Sequence, residues 1–180
     1  MVFVWHIGTS AVSDAICPRC GQKGRKVHSV TPRSLLVDGA RARLGDDDEV
    51  RFCRNGDCSV VYFGDGIEPF STDDVGVLVF QKSSDPGRLV CYCFDHTVEA
   101  IETEVQQTGT SAVPDSITAK CKEGLDRCEE TNPQGSCCLG NVRQVVKQAS
   151  ACAGAEVTVD SEDSHACCSS KAAEPTKRPG

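Results

Sequence analysis

Aromatic residues are scarce in this chain, with six Phe, two Tyr and one Trp among 180 residues, and Met occurs once. So little bulky apolar surface leaves no domain able to bury a large core unaided, and small domains in that position are usually held by disulfides or metal. No Lys or Arg precedes Arg19, and the first apolar run, Val2-Phe3-Val4-Trp5, is too short for a secretory leader, so no signal peptide is expected. Nowhere does the chain approach the roughly 18 consecutive apolar residues of a membrane span, so no membrane insertion is expected. Positive charge is also in deficit: the net charge is -7 at pH 7, which argues against a nucleic-acid partner. A phosphate-binding Gly-rich loop, a dinucleotide-binding glycine pattern and a Ser-His-Asp arrangement are all missing, so neither a nucleotide enzyme nor a hydrolase is expected.

Cysteine, by contrast, is abundant, with 13 residues. The number is odd, and the residues sit in tight groups: Cys17/Cys20, Cys53/Cys58, Cys91/Cys93, Cys137/Cys138 and Cys167/Cys168. Close pairs converge on one metal more readily than they span separate loops, so metal ligation is favoured over a disulfide framework. Thiolates stay available for metal in a reducing compartment, and the expected localisation is cytoplasmic.

The pattern along the chain predicts an α+β protein: a small zinc-stabilised β subdomain, then a small helical domain that binds a 2Fe-2S cluster, then a disordered C-terminal tail. Residues 1 to 15 are an extension without periodic signal, residues 16 to 82 form the first domain and residues 88 to 150 the second. The linker Ser83-Ser84-Asp85-Pro86-Gly87 lies between them, and residues 153 to 180 form the tail. Short β-type runs are expected at Arg25 to Val30, Val50 to Cys53, Ser59 to Phe63 and Val75 to Phe80. Val98, Ile101 and Val105 recur at helical spacing, which predicts a helix over about residues 95 to 107 that Gly109 stops. Leu139, Val142, Val145, Val146 and Ala149 share one face of a second helix over 137 to 149, with Ser136 as its expected N-cap.

Two cysteine constellations carry the chemistry. In Cys17-Pro18-Arg19-Cys20-Gly21 a C-x-x-C-G turn puts two sulfurs on one side of a tight knuckle, and Gly21 permits a positive φ. With the later Cys53-x4-Cys58 this makes four thiolates, which satisfy tetrahedral zinc and leave no open position, so the role is structural. Reactive thiols or disulfides are the alternative. The second constellation is Cys91-Tyr92-Cys93, Cys128 and the vicinal pair Cys137-Cys138. Here a C-x-C bracket suits one iron of a 2Fe-2S unit and two later cysteines the other, while zinc, or buried thiols without metal, are alternatives. A helix starting after Ser136 places Cys137 or Cys138 in its first turn, where the dipole favours a thiolate. A ligand loop of Asn132, Pro133, Gln134 and Gly135 has little to bury it, so partly accessible sulfurs are expected.

The segments Cys17-Pro18-x-Cys20, Phe52-Cys53-x4-Cys58-x-Val60-Val61-Tyr62-Phe63, Val90-Cys91-Tyr92-Cys93 and Thr131-Asn132-Pro133-x-Gly135-x-Cys137-Cys138 resemble the N-terminal domain of CopZ-type copper chaperones over roughly residues 16 to 150. The resemblance implies zinc at Cys17, Cys20, Cys53 and Cys58. It also implies a domain similar to bacterioferritin-associated ferredoxin, with a 2Fe-2S cluster on Cys91, Cys93, Cys128 and one of Cys137 or Cys138. In that family a heavy-metal-associated domain carries Cu(I) to a transporter, and the cluster helps reduce Cu(II). Its Gly-Met-Thr-Cys-x-x-Cys motif is absent here after residue 150, so a copper-carrying domain or metal transporter would act in trans.

The remaining candidates are weaker. His165-Ala166-Cys167-Cys168 offers a soft-metal site for transient Cu(I), or is an incidental pair in the tail. Cys121 reads as a packed thiol, Cys152 as the end of a helix and His96 as a helix N-terminal residue near the cluster bracket. The leading expectation is a metal-handling redox protein in which one-electron reduction of a metal ion is the one activity left open. The alternatives are a ferredoxin-like electron carrier and a zinc-only interaction module.

Overall fold

The structure, a computed structural model, describes residues 16–155. Its first half is a four-stranded antiparallel sheet in the order β1 (Arg25–Lys26), β2 (Arg51–Phe52), β3 (Val60–Phe63), β4 (Phe70–Ser71). Two short helices, α1 (Val30–Leu35) and α2 (Asp38–Arg41), lie between β1 and β2 in sequence. Arg25 pairs with Phe52 and Phe52 with Tyr62, which puts the two aromatic rings at an edge-on contact of 6.2 Å. Around them Leu36, Val50, Val61 and Phe70 are buried, so this half does own a compact core.

Several strand expectations shrink or fail. The run from Arg25 ends as a strand after Lys26, because the Thr31 amide donates back to His28 and Pro32, with its φ already set for a first helical turn, commits the chain to α1. Val75 to Phe80 is not a strand. Val75 makes one isolated bridge with Leu36, the Gly76 amide goes to the Leu35 carbonyl, and Phe80–Lys82 closes as a 3-10 turn. Its apolar residues were real core signals, since Val75 and Val79 are buried, but burial there is against α1 rather than in a ladder. The actual fourth strand, β4, had gone unread.

The second half begins with the hairpin β5 (Leu89–Cys91) and β6 (His96–Thr97), followed by α3 (Val98–Thr108), α4 (Val113–Lys122), α5 (Cys128–Thr131) and α6 (Leu139–Ala155). The expected α3 is present: the Thr97 hydroxyl accepts from the Ala100 amide at its start, Val98, Ile101 and Val105 are buried, and Gly109 ends it at φ 77°. Helix α6 buries Val142, Val145 and Ala149 against α3, as the spacing of those residues implies. Two corrections apply to α6. It starts at Leu139, the Val142 amide bonding the Cys138 carbonyl, so Ser136 is not its cap; and it runs on to Ala155, past the expected end of the domain at 150 and into residues assigned to the tail. The tail from 156 and the extension up to residue 15 lie outside the described residues, as does the His165-Cys167-Cys168 candidate.

The halves meet in a seam of specific hydrogen bonds. Thr31, fully buried on α1, donates from Oγ1 to the Glu129 carbonyl of α5 at 2.6 Å. Tyr62 on β3 donates its hydroxyl to the Pro133 carbonyl at 2.9 Å, and Gln81 Nε2 donates to Gln134 Oε1 at 2.7 Å. The Tyr92 hydroxyl accepts from the Phe80 amide and donates to the Leu78 carbonyl. Residues 83–87 form an ordered turn in which Asp85 caps the Gly87 amide.

Candidate metal centres

The first centre is built from two turns that face each other across the edge of the sheet. Residues 17–21 close tightly: the Gly21 amide donates to the Cys17 carbonyl, the Cys17 amide to the Gln22 carbonyl, and Gly21 takes φ 70°, where any side chain would be strained. The second turn hangs between β2 and β3, tied by the Cys53 amide to the Val61 carbonyl and the Cys58 amide to the Asn55 carbonyl. Sequence reading missed Lys82. Its ammonium donates to the carbonyls of both Asn55 and Cys58, at 2.8 and 2.9 Å, bracing this turn from a distant segment with no local signal.

These turns bring Cys17, Cys20, Cys53 and Cys58 together. Their sulfurs all lie within 4.8 Å of one another, with Cys17 to Cys58 at 3.9 Å and Cys20 to Cys53 at 3.6 Å. Four sulfurs bound to one zinc at the usual bond length stand about 3.8 Å apart, so the set fits the ion as it stands. Backbone amides point at three of the sulfurs. The Gln22 amide is the main reason the Cys20 thiol falls to about 6, whereas burial drives Cys53 up to about 12 despite help from the Asn55 amide. Burial likewise raises Cys58, against the Val60 amide. Three of the four sulfurs are thus buried and one is readily ionised, an arrangement that a divalent cation would relieve by taking all four as thiolates.

The second set is drawn from three elements. Cys91 ends β5 and Cys93 lies in the hairpin turn, Cys128 opens α5, and Cys138 stands immediately before α6. Cys91, Cys128 and Cys138 are buried, Cys93 is half-buried and Cys137 is exposed. Cys93 Sγ lies 3.5 Å from Cys128 Sγ, so its close neighbour is not its partner in the C-x-C bracket. The Cys138 sulfur neighbours those of Cys128 and Cys91, and these contacts lower the Cys128 thiol to about 6, lower Cys91 and raise Cys138. The Arg127 amide and the Thr131 hydroxyl also approach Cys93, at 3.4 and 3.2 Å, while burial takes that thiol up to about 11. Thr131 sits one helical turn after Cys128, a spacing that could have flagged it. Cys121 packs at the edge of the core and has its thiol raised to about 11 by burial, and Cys152 lies within α6.

The loop of Asn132, Pro133, Gln134 and Gly135 is not open, contrary to expectation. Asn132 is buried, donating from Nδ2 to the Ser136 carbonyl and accepting the Gln134 amide on Oδ1. Gly135 holds φ 62° so close to Thr31 and Val27 that a Cβ would meet their side chains at 3.1 Å. The first half of the protein supplies the cover that the loop's own residues lack.

A family model described as a zinc binding domain, of the CopZ type, matches residues 14–76, a span that contains all four cysteines of the first centre. Geometry and family model therefore support zinc at the same residues. Among solved structures, the X-ray structure of the Archaeoglobus fulgidus CopZ N-terminal domain is similar in fold, with a TM-score of 0.61 and 23% identity, covering 72% of this chain and 96% of that one. No curated protein matches the chain. Among the described residues no helix is long and apolar enough to cross a membrane.

Proposed function

We propose that this chain is a metal-handling redox protein of a reducing, cytoplasmic setting, with structural zinc at Cys17, Cys20, Cys53 and Cys58 and a 2Fe-2S cluster at Cys91, Cys93, Cys128 and Cys138. The observation that carries the reading is the convergence of cysteines from β5, α5 and the start of α6, with Cys138 buried among them and Cys137 turned out to solvent. When bound, such a cluster supplies one-electron chemistry. The chain's own contribution is to hold its sulfurs and shield them. The Arg127 amide donates to the Cys93 sulfur, the Thr131 hydroxyl lies 3.2 Å from it, and Tyr92 anchors the C-x-C turn to residues 78 and 80. The electron acceptor in this reading is a soft metal ion such as copper, or a copper-carrying domain or transporter that presents it. The sequence segments that resemble CopZ-type copper chaperones motivate that choice of substrate.

Metal and acid-labile sulfide analysis with a visible spectrum, on protein purified without oxygen, tests the assignment. Two iron, two sulfide and one zinc per chain, with bands that bleach on reduction, are expected. Zinc alone after cluster reconstitution would refute the redox reading. Failure of the reduced, iron-loaded protein to reduce Cu(II) would instead leave a ferredoxin-like carrier.

A further inference from the structure

We propose that the cleft between the zinc half and the polar face of α6 binds a small ligand bearing two or more oxyanion groups. The cleft encloses about 460 Å³ and is lined by Arg25, Arg54 and Arg88 together with Gln134, Asn141 and Gln148. No carboxylate lines it, although the chain carries 26 acidic against 19 basic residues. The acidic side chains gather elsewhere, as at Asp47, Asp48, Glu49 and Asp65. Among the described residues the ion pairs engage Lys26, Arg33, Arg41 and Arg43, and none engages the three cleft arginines.

Three guanidinium groups brought to one recess without a counter-charge repel one another and lower the affinity for any cation, so an anion that pairs with them is strongly favoured. Arg88 is already held in place. Its Nη1 donates to the Asp85 carbonyl at 2.7 Å and its guanidinium lies over the Phe80 ring at 5.4 Å, while its Nε is buried without a partner. The Nη groups of Arg88, with those of Arg25 and Arg54, are the donors that an oxyanion in the cleft would meet. The arginines come from β1, from the Cys53–Cys58 turn and from the residue just before β5, and the amides at positions 141 and 148 come from one face of α6. The recess therefore exists only in the assembled fold. Multiple acceptor oxygens suit this lining of guanidinium and amide donors, and the volume accommodates a diphosphate or a tricarboxylate. Gln134 sits at the wall with its Nε2 donating to the Ser136 and Cys137 carbonyls and its Oε1 accepting from Gln81 and Asn141, so a ligand held by the arginines lies beside the loop bearing Cys138.

Titration of the zinc-loaded full chain with pyrophosphate, and separately with tricarballylate, followed by nitrogen-edited NMR of arginine Nε–H and glutamine amide groups, tests the site. Saturable shifts at Arg54, Arg88 and Gln134 are expected, with at least a tenfold weaker affinity in Arg54→Gln, an exposed position whose replacement leaves the core untouched. Arg41→Gln, outside the cleft, should bind as the parent does. Whichever anion binds more tightly identifies phosphate or carboxylate as the ligand chemistry. No saturable shift with either anion, or equal weakening by Arg41→Gln and Arg54→Gln, would overturn the proposal.

Discussion

Cys137 and Cys138 are chemically the same side chain one peptide apart, and the fold treats them oppositely. Cys138 is 1% exposed and packed with Cys91 and Val142, whereas Cys137 faces solvent. Under the proposed assignment Cys138→Ser abolishes the visible absorbance and the iron content of reconstituted protein, while Cys137→Ser leaves both near the parent level. The vicinal pair in the sequence left this choice open because two neighbouring residues share every local signal. Only the residue on which α6 starts decides which sulfur turns inward, and that boundary depends on the packing of Val142 and Val145 against α3. The four cysteines of the zinc site needed no such arbitration, since each pair falls within a single turn. Their brace, Lys82, was hidden for the reason that hid the seam: its partners are distant in sequence.

Among the elements, α3 and α6 were legible because each carries a run of apolar residues at one spacing with a clear stop or a long face. The helices α1, α2 and α4 were not, as each is short or weakly apolar; α4 buries Ile117 fully and little else. Two turns allow direct tests. Gly135→Ala forces a Cβ into a left-handed position against Val27 and Thr31, with an expected loss of about 1–2 kcal/mol read by chemical denaturation. The 3-10 turn Thr72–Asp74 is capped by Asp74, whose carboxylate accepts the Ser71 amide at 2.7 Å and hydroxyl at 3.1 Å and pairs with Arg43 at 2.7 Å. Partial burial opposes ionisation, but the Ser71 and Arg43 donors outweigh it and lower the pKa below the ordinary aspartate value. A carboxyl lowered on folding contributes stability that is complete above its unfolded pKa and is lost as pH falls through the folded one. Asp74→Asn should therefore cost about 1 kcal/mol at neutral pH and progressively less below about pH 4, as thermal melts at a series of pH values would register.

At the scale of the molecule, the seam joins a sheet that owns its zinc site to a loop that owns few contacts of its own. Tyr62→Phe leaves the Pro133 carbonyl without its donor and should cost about 1–3 kcal/mol, with hydrogen-exchange protection falling at residues 129–135 more than in α3. Stripping zinc with a strong chelator should loosen the same residues, although none of them is a zinc ligand. The strand that bears Tyr62 runs directly from Cys58 through Val60, so loosening the cysteine turn is expected to disturb the placement of the hydroxyl. Under the proposed assignment the two centres would then be linked, the zinc turn shaping the wall of the cluster pocket. If the second set of cysteines holds iron as proposed, a cell short of zinc but replete in iron would make this polypeptide with a misshapen second pocket, and its shortage of one metal would register as a deficiency of the other.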